Sequence, residues 1–374
     1  MEDVNNVSAK HYQSLLDGVF GNDLLQVPLK GESNNVIGAL SHKGEYDVFK
    51  GNFKLLLEDL KGKYDVDSIK QALVQVADSK NWEGAYAELV ALSVLNNDYS
   101  GEIKTDVTLK EGMGFAKECG QKLTNEDGYW NDYDAYFDVK ILSDPIKEIL
   151  DGTIDRAIKK ANPTEACDIL AEYPMDDDDV DYKSNIGQIE KELVKALQEK
   201  KTIIHISTLK KLLFRIHWGG GINSVVMAYS PFRHAENSKD IVLKRYAKKL
   251  LKRKPFFLVF VNFPWFKQLV KDSFGMNEWY YRALARRTFM QYEHSNAKAS
   301  EIILGYKGND TKRSIARCLS GIVFIEDHSI LKTNDKYQTY VYLNPNARNQ
   351  CGYIRTYLEQ LPNQMFEDFE YDNY

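Results

Sequence analysis

Cysteine is scarce in this 374-residue chain. There are four, Cys119, Cys167, Cys318 and Cys351, and no two make a CxxC pair. This argues against a zinc ribbon or a disulfide frame and predicts reduced thiols in a cytoplasmic protein. Proline is also sparse, at nine residues, and no low-complexity linker occurs. Long apolar runs are missing. The longest, PFFLVFVNFPWF, is too short to span a bilayer and is broken by Asn262 and Pro264. The opening MEDVNNVSAKHYQ has neither a basic nor an apolar leader region, so no secretory signal is expected. His205 and His217 form no HExxH pattern. WGGG at 218–221 lacks the GK[ST] ending of a phosphate-binding loop. The acidic run MDDDDVD at 175–181 lacks the glycine and closing glutamate of an EF-hand loop and reads as solvated surface.

What is present is globular: 43% hydrophobic and 28% charged residues. The length suits one large domain or two ordinary ones. The net charge of −5 hides an asymmetry. Residues 201–320 hold 23 Lys+Arg against 7 Asp+Glu, and the remainder holds 26 against 47. That imbalance suggests a polyanion partner for the basic part. The plainer reading is that the two parts neutralise each other within one fold.

Periodicity divides the chain into a mostly helical lead-in (1–75), a core (76–265) and a basic extension of helices and strands with an acidic tail (266–374). SKNWEGAYAELVALSVLNN predicts a helix over 79–97, capped by Ser79, with Glu88 amid mostly apolar residues. EIKTDVTL and AYFDVKIL predict strands, with a turn at 131–133. In the second strand, Asp138 and Lys140 share a face with Tyr136, while Phe137, Val139 and Ile141 take the other. Asp127, across the turn, is the better partner for Asp138. Asp134 is about 13 Å along the strand at roughly 3.3 Å per residue, so it and Asp106 are fallbacks. TIIHIS, KLLFRIHW, SVVMAYS, FFLVFV, SGIVFIED and YQTYVYLNPNA read as further strands.

SKDIVLKRYAKKLLKRKP predicts a basic amphipathic helix over 239–254. Leu243, Tyr246, Ala247, Leu250 and Leu251 make its stripe, and Lys244, Arg245, Lys248, Lys249, Lys252 and Arg253 its charged remainder. Arg282, Arg286 and Arg287, then Arg313 and Arg317, add basic helical positions. Such faces hold nucleic-acid phosphates, or simply face water. Trp265, Trp279 and Tyr280 are candidates to stack on unpaired bases, although such spacing more often marks a core.

Glu88, Asp127, Asp138 and Lys140 together suit phosphodiester hydrolysis. One or two carboxylates hold a hydrated Mg²⁺, the ion activates water, and a lysine answers the developing charge. The stretches WEGAYAELVAL, EDGYW and YFDVK resemble the PD-(D/E)XK nuclease superfamily over about residues 80–142. The pattern there is a helix bearing glutamate, then a mixed sheet with an acidic residue and [D/E]-x-K. Gly128 departs from it, since a strand hydrophobe is common after the first acid. The resemblance implies a restriction-endonuclease-like α/β (α+β) fold, a mixed central sheet flanked by helices with a helical lead-in and a C-terminal α/β extension. It implies Mg²⁺ (or Mn²⁺) held by Asp127, Asp138 and Glu88, with Lys140 as the catalytic cation. It further implies cleavage of nucleic acid, DNA first, in a restriction or defence setting. A homodimer or a partner protein of a multi-component system is compatible with it, and no membrane role is expected. The alternative is a non-catalytic nucleic-acid-binding or protein-interaction module on the same fold.

Overall fold

The computed structural model describes residues 4–351 apart from 22–24, 28–33, 42–43, 45, 79, 99–101, 121–124, 142–144, 174–178, 220–234, 237, 264–275 and 334. Ser79, Trp265, residues 175–178 of the acidic run, Gly220 and Gly221 of the turn, the strand expected at 224–230 and the acidic tail lie outside the described residues.

Five helices come first: α1 Val4–Phe20, α2 Asn35–Ser41, α3 Asp47–Lys63, α4 Val66–Gln75 and α5 Trp82–Asp98. Strands β1 Ile103–Thr108, β2 Asn125–Trp130 and β3 Ala135–Ile141 follow. Next come α6 Pro145–Ala161, β4 Cys167–Glu172, α7 Asp179–Gln198, β5 Ile203–His205 and β6 Leu213–Trp218. The last described elements are α8 Ile241–Tyr246, β7 Phe256–Asn262, α9 Met276–Met290, α10 Lys312–Ala316, β8 Gly321–Asp327 and β9 Tyr337–Leu343. Among the described residues no helix is long and apolar enough to cross a membrane.

The chain divides into two compact units. The first comprises residues 1–142, 243–271 and 288–369, the second 143–242, 272–287 and 370–374. The first unit contains a six-stranded mixed sheet in the order β1-β2-β3-β7-β8-β9. β3, β7 and β8 run parallel, and the other neighbours are antiparallel. The second unit contains a three-stranded antiparallel sheet, β4-β6-β5, together with α6 and α7.

Strand composition explains why β7 and β8 lie inside the sheet rather than at its edge. β7 and β8 are buried at every residue, as expected of parallel strands inside a sheet, and each is an apolar run up to its polar end at Asn262 and at Glu326–Asp327. On one face Phe137, Val139, Phe257, Val259, Val261, Val323 and Ile325 join the helical core of α1–α5. Helix α5 is apolar nearly all round, with Tyr86, Leu89, Val90, Leu92 and Leu95 buried, which suits a helix enclosed by its neighbours. Asp138 and Lys140 have the opposite parity to Phe137 and Val139, so the sheet directs them away from that core.

Candidate active site

β2 and β3 pair from Trp130↔Ala135 to Gly128↔Phe137, and there the ladder stops. The strands fork beyond it. The Val139 N–H donates to Asp127 Oδ2 at 2.6 Å, so a side chain takes the place of a ladder carbonyl. At the same level the β1–β2 ladder skips one position, between Thr105↔Gly128 and Val107↔Glu126. The skipped Asp106 has φ 49°, a left-handed backbone that costs a non-glycine residue energy and marks a kink. A Cβ on Gly128 would lie 2.0 Å from Phe137 Cζ. The absent side chain lets that ring lie across β2, with its centroid 4.9 Å from that of Trp130. The glycine that departs from an apolar strand pattern therefore has a steric cause.

The fork gathers four carboxylates and two ammonium groups. Asp138 is fully buried. Its Oδ2 is in contact with the Lys140 ammonium, and its Oδ1 lies 2.9 Å from Lys249 Nζ. Lys140 Nζ is also 3.8 Å from Asp127 Oδ2 and donates to the Val139 carbonyl at 2.8 Å. Lys249 Nζ donates to the Asn125 carbonyl at 2.5 Å and lies 3.9 Å from Glu126 Oε2.

Glu88 comes from α5 and is half-buried. Burial, then the carboxylates of Asp127, Asp106 and Asp138, push its pKa up to about 8 against the pull of Lys140. Burial and Asp138 push Asp127 up to about 7, opposed by Lys140. Burial and Asp138 push Glu126 up to about 9, opposed by Lys249. Burial alone would lower the Lys249 ammonium, but Asp138 and Glu126 together outweigh it and leave its pKa above the usual lysine value. Acids crowded out of water repel one another and resist ionising until a cation joins them.

Of the four residues singled out in the sequence, Asp127, Asp138 and Lys140 thus meet at one place, and Glu88 on α5 lies near enough to feel their charges. Glu126 and Lys249 complete the group, and neither was expected there. Asp106 borders it, accepting from Asn125 Nδ2 at 3.2 Å. Asp134 sits at the turn end of the hairpin, where it contacts Lys254 and accepts from the Tyr129 hydroxyl at 2.9 Å.

The expected basic helix is a correction. α8 ends at Tyr246, a single 3₁₀ turn covers Ala247–Lys249, and Leu251 bridges to Gly114. The Lys252 N–H donates to the Met113 carbonyl at 2.8 Å, so the chain is drawn extended where the pattern continued a helix. Lys244, Arg245 and Arg253 are exposed and Lys248 half-buried, whereas Lys252 pairs with Glu118 at 2.5 Å. Arg282, Arg286 and Arg287 are buried, and Arg287 pairs with Glu236 at 3.0 Å. Arg313 and Arg317 share Glu293. Tyr280 is buried and Trp279 is 44% exposed.

Among the described residues no three Asp, Glu, His or Cys side chains are already spaced as a metal-ligand set. The Lys140 ammonium reaches both Asp127 and Asp138. The donors themselves suit a hard divalent cation, being carboxylate oxygens held in partial burial with too few positive charges around them. No protein-family model, curated protein or solved structure matches the chain.

Proposed function

We propose that this chain is a metal-dependent nuclease of the PD-(D/E)XK kind that hydrolyses phosphodiester bonds, with DNA as its first candidate substrate. One observation carries the reading: Asp127, Asp138 and Lys140 from paired strands meet at a fork crowded with acids, and Glu88 from a helix lies within their electrostatic reach. The restriction-endonuclease-like assignment draws support from the same arrangement. The glutamate helix packs on a mixed sheet, and D-x-K lies on β3, where antiparallel pairing gives way to parallel.

Asp127 and Asp138, with Glu88, would hold Mg²⁺ or Mn²⁺. A bound ion of this kind lowers the pKa of water and offsets phosphate charge. Asp138 is held from two sides by lysines and so keeps a fixed orientation. Lys140 is a quarter exposed, which leaves its stem room to swing from the carboxylates towards a phosphate oxygen or the attacking water. There its ammonium answers the charge that develops on phosphorus. Glu88 adds a ligand oxygen or accepts a hydrogen bond from that water. Lys244, Arg245, Lys248 and Arg253 flank Lys249 in sequence and suit contacts to a nucleic-acid backbone, giving salt-dependent and largely sequence-independent affinity.

A second reading is a non-catalytic nucleic-acid-binding or interaction module. The observation favouring it is that both lysines already pair with carboxylates, so the cluster can stand as a plain ionic network. Supercoiled plasmid, linear duplex and single strands, incubated with Mg²⁺ or Mn²⁺ and with chelator, separate the two. The nuclease reading expects metal-dependent cutting that falls about 10²–10³-fold in Lys140→Ala. Equal cutting by both proteins places the activity elsewhere, and no cutting by the wild type favours the binding module.

A further inference from the structure

Lys249 is placed differently from Lys140. Its ammonium is enclosed by oxygen: Asp138 Oδ1 at 2.9 Å, the Asn125 carbonyl at 2.5 Å and Glu126 Oε2 at 3.9 Å. Two carboxylates and a backbone carbonyl are the donors a hard cation takes. The side chain is 16% exposed, against 25% for Lys140. It arrives from the 3₁₀ turn after α8, anchored by the Gly114–Leu251 bridge.

We propose that Lys249 is a positioning residue that fills a second cation position in the fork, so that the site takes a single divalent ion. The inference rests on the metal-dependent reading above. Lys249 orients Asp138 and keeps Oδ1 of that residue, Glu126 and the Asn125 carbonyl from a second ion. The single ion is left to the Asp127 side of Asp138, where Lys140 now sits. Removing the Lys249 ammonium vacates a position lined by Asp138 Oδ1, the Asn125 carbonyl and Glu126, which admits a second ion.

The test is the number of Mn²⁺ ions bound at equilibrium, with free ion read by electron paramagnetic resonance, on the full chain. Wild type and Lys249→Arg are expected to bind one, and Lys249→Ala two. Adding Glu126→Gln to Lys249→Ala is expected to return the count to one. A lysine that served packing alone would change stability and leave these counts untouched. Two ions in the wild type or in Lys249→Arg overturn the inference. So does a folded Lys249→Ala that still binds one, and that result leaves the metal-dependent reading standing. A wild type that binds none overturns both. Should Lys249→Ala fail to fold, the wild type and Lys249→Arg decide: one ion each supports the inference.

Discussion

The two ends of the β2–β3 hairpin hold the same residue type and treat it in opposite ways. At the turn, Asp134 is 55% exposed, and Lys254, with help from Tyr129, draws its carboxyl below the usual range. At the fork, burial and the neighbouring Asp138 push Asp127 up to about 7. Both aspartates have a lysine within reach. What differs is the company: Asp134 has one cation to itself, whereas Asp127 shares two with three other acids. A single exposed pair is a solved electrostatic problem, whereas the crowded fork still lacks positive charge, and only the second arrangement gains much from a metal ion.

Asp138→Asn tests that contrast with the largest expected effect. At a free Mn²⁺ concentration a hundred times its Kd, the wild type gains about 2.7 kcal/mol, read as a rise in Tm. The variant should lose most of this gain, and an equal rise in both would place the ion elsewhere. Gly128→Ala attacks the base of the fork. The new methyl group must displace the Phe137 ring, and a loss of about 1–3 kcal/mol in urea unfolding is expected. Phe137→Leu should restore part of it, and if the double mutant is merely additive, contact with the ring is not the cause.

Asp327 sharpens the comparison by burying an acid that, among the described residues, has no lysine pair. The Tyr86 hydroxyl donates to it at 2.7 Å and the Ser329 N–H at 2.8 Å. Burial dominates and raises its pKa. The unfolded chain releases this proton near pH 4, while the folded chain keeps it to higher pH. Its contribution to stability is therefore full below about pH 4 and declines as pH rises through the folded pKa. Asp327→Asn should flatten that decline, and an unchanged slope would show that other groups set it. Asp134→Asn completes the series with the smallest change, within about 1 kcal/mol. It should leave cutting and the Mn²⁺ response intact, and a large effect on either would collapse the distinction between the two ends.

Much of this architecture was legible in the sequence because its signals are local. The apolar run of β7, the apolar helix around Glu88 and the alternation from Tyr136 to Ile141 each state their own burial. Lys249 was not legible. Leu243, Tyr246, Ala247 and Leu250 satisfy a helical period, but the bridge from Leu251 to Gly114 prevails over it, and a pattern confined to one segment cannot register a pairing made over a long sequence separation. Glu126 escaped for a related reason. Strict alternation puts it on the side of Trp130, yet its Oε2 lies 3.9 Å from Lys249 Nζ. The arginines of α9 show the same limit: their spacing reads as a charged face, yet they are buried, and one of them pairs with Glu236.

The separation between Asp138 and its cation Lys249 is 111 residues, and this orders the life of the chain. Contacts so distant in sequence form late, because the loop that closes them must be ordered first. A chain still emerging from the ribosome exposes Glu88, Glu126, Asp127 and Asp138 well before Lys249 exists. For that interval the hairpin carries its repulsion with Lys140 in contact with Asp138 and without Lys249. The fork is whole only once the 3₁₀ turn bearing Lys249 and the β7 strand that follows it have joined β3. On this account the acidic and basic stretches of the sequence act as two halves of a latch that sets when the second half is made.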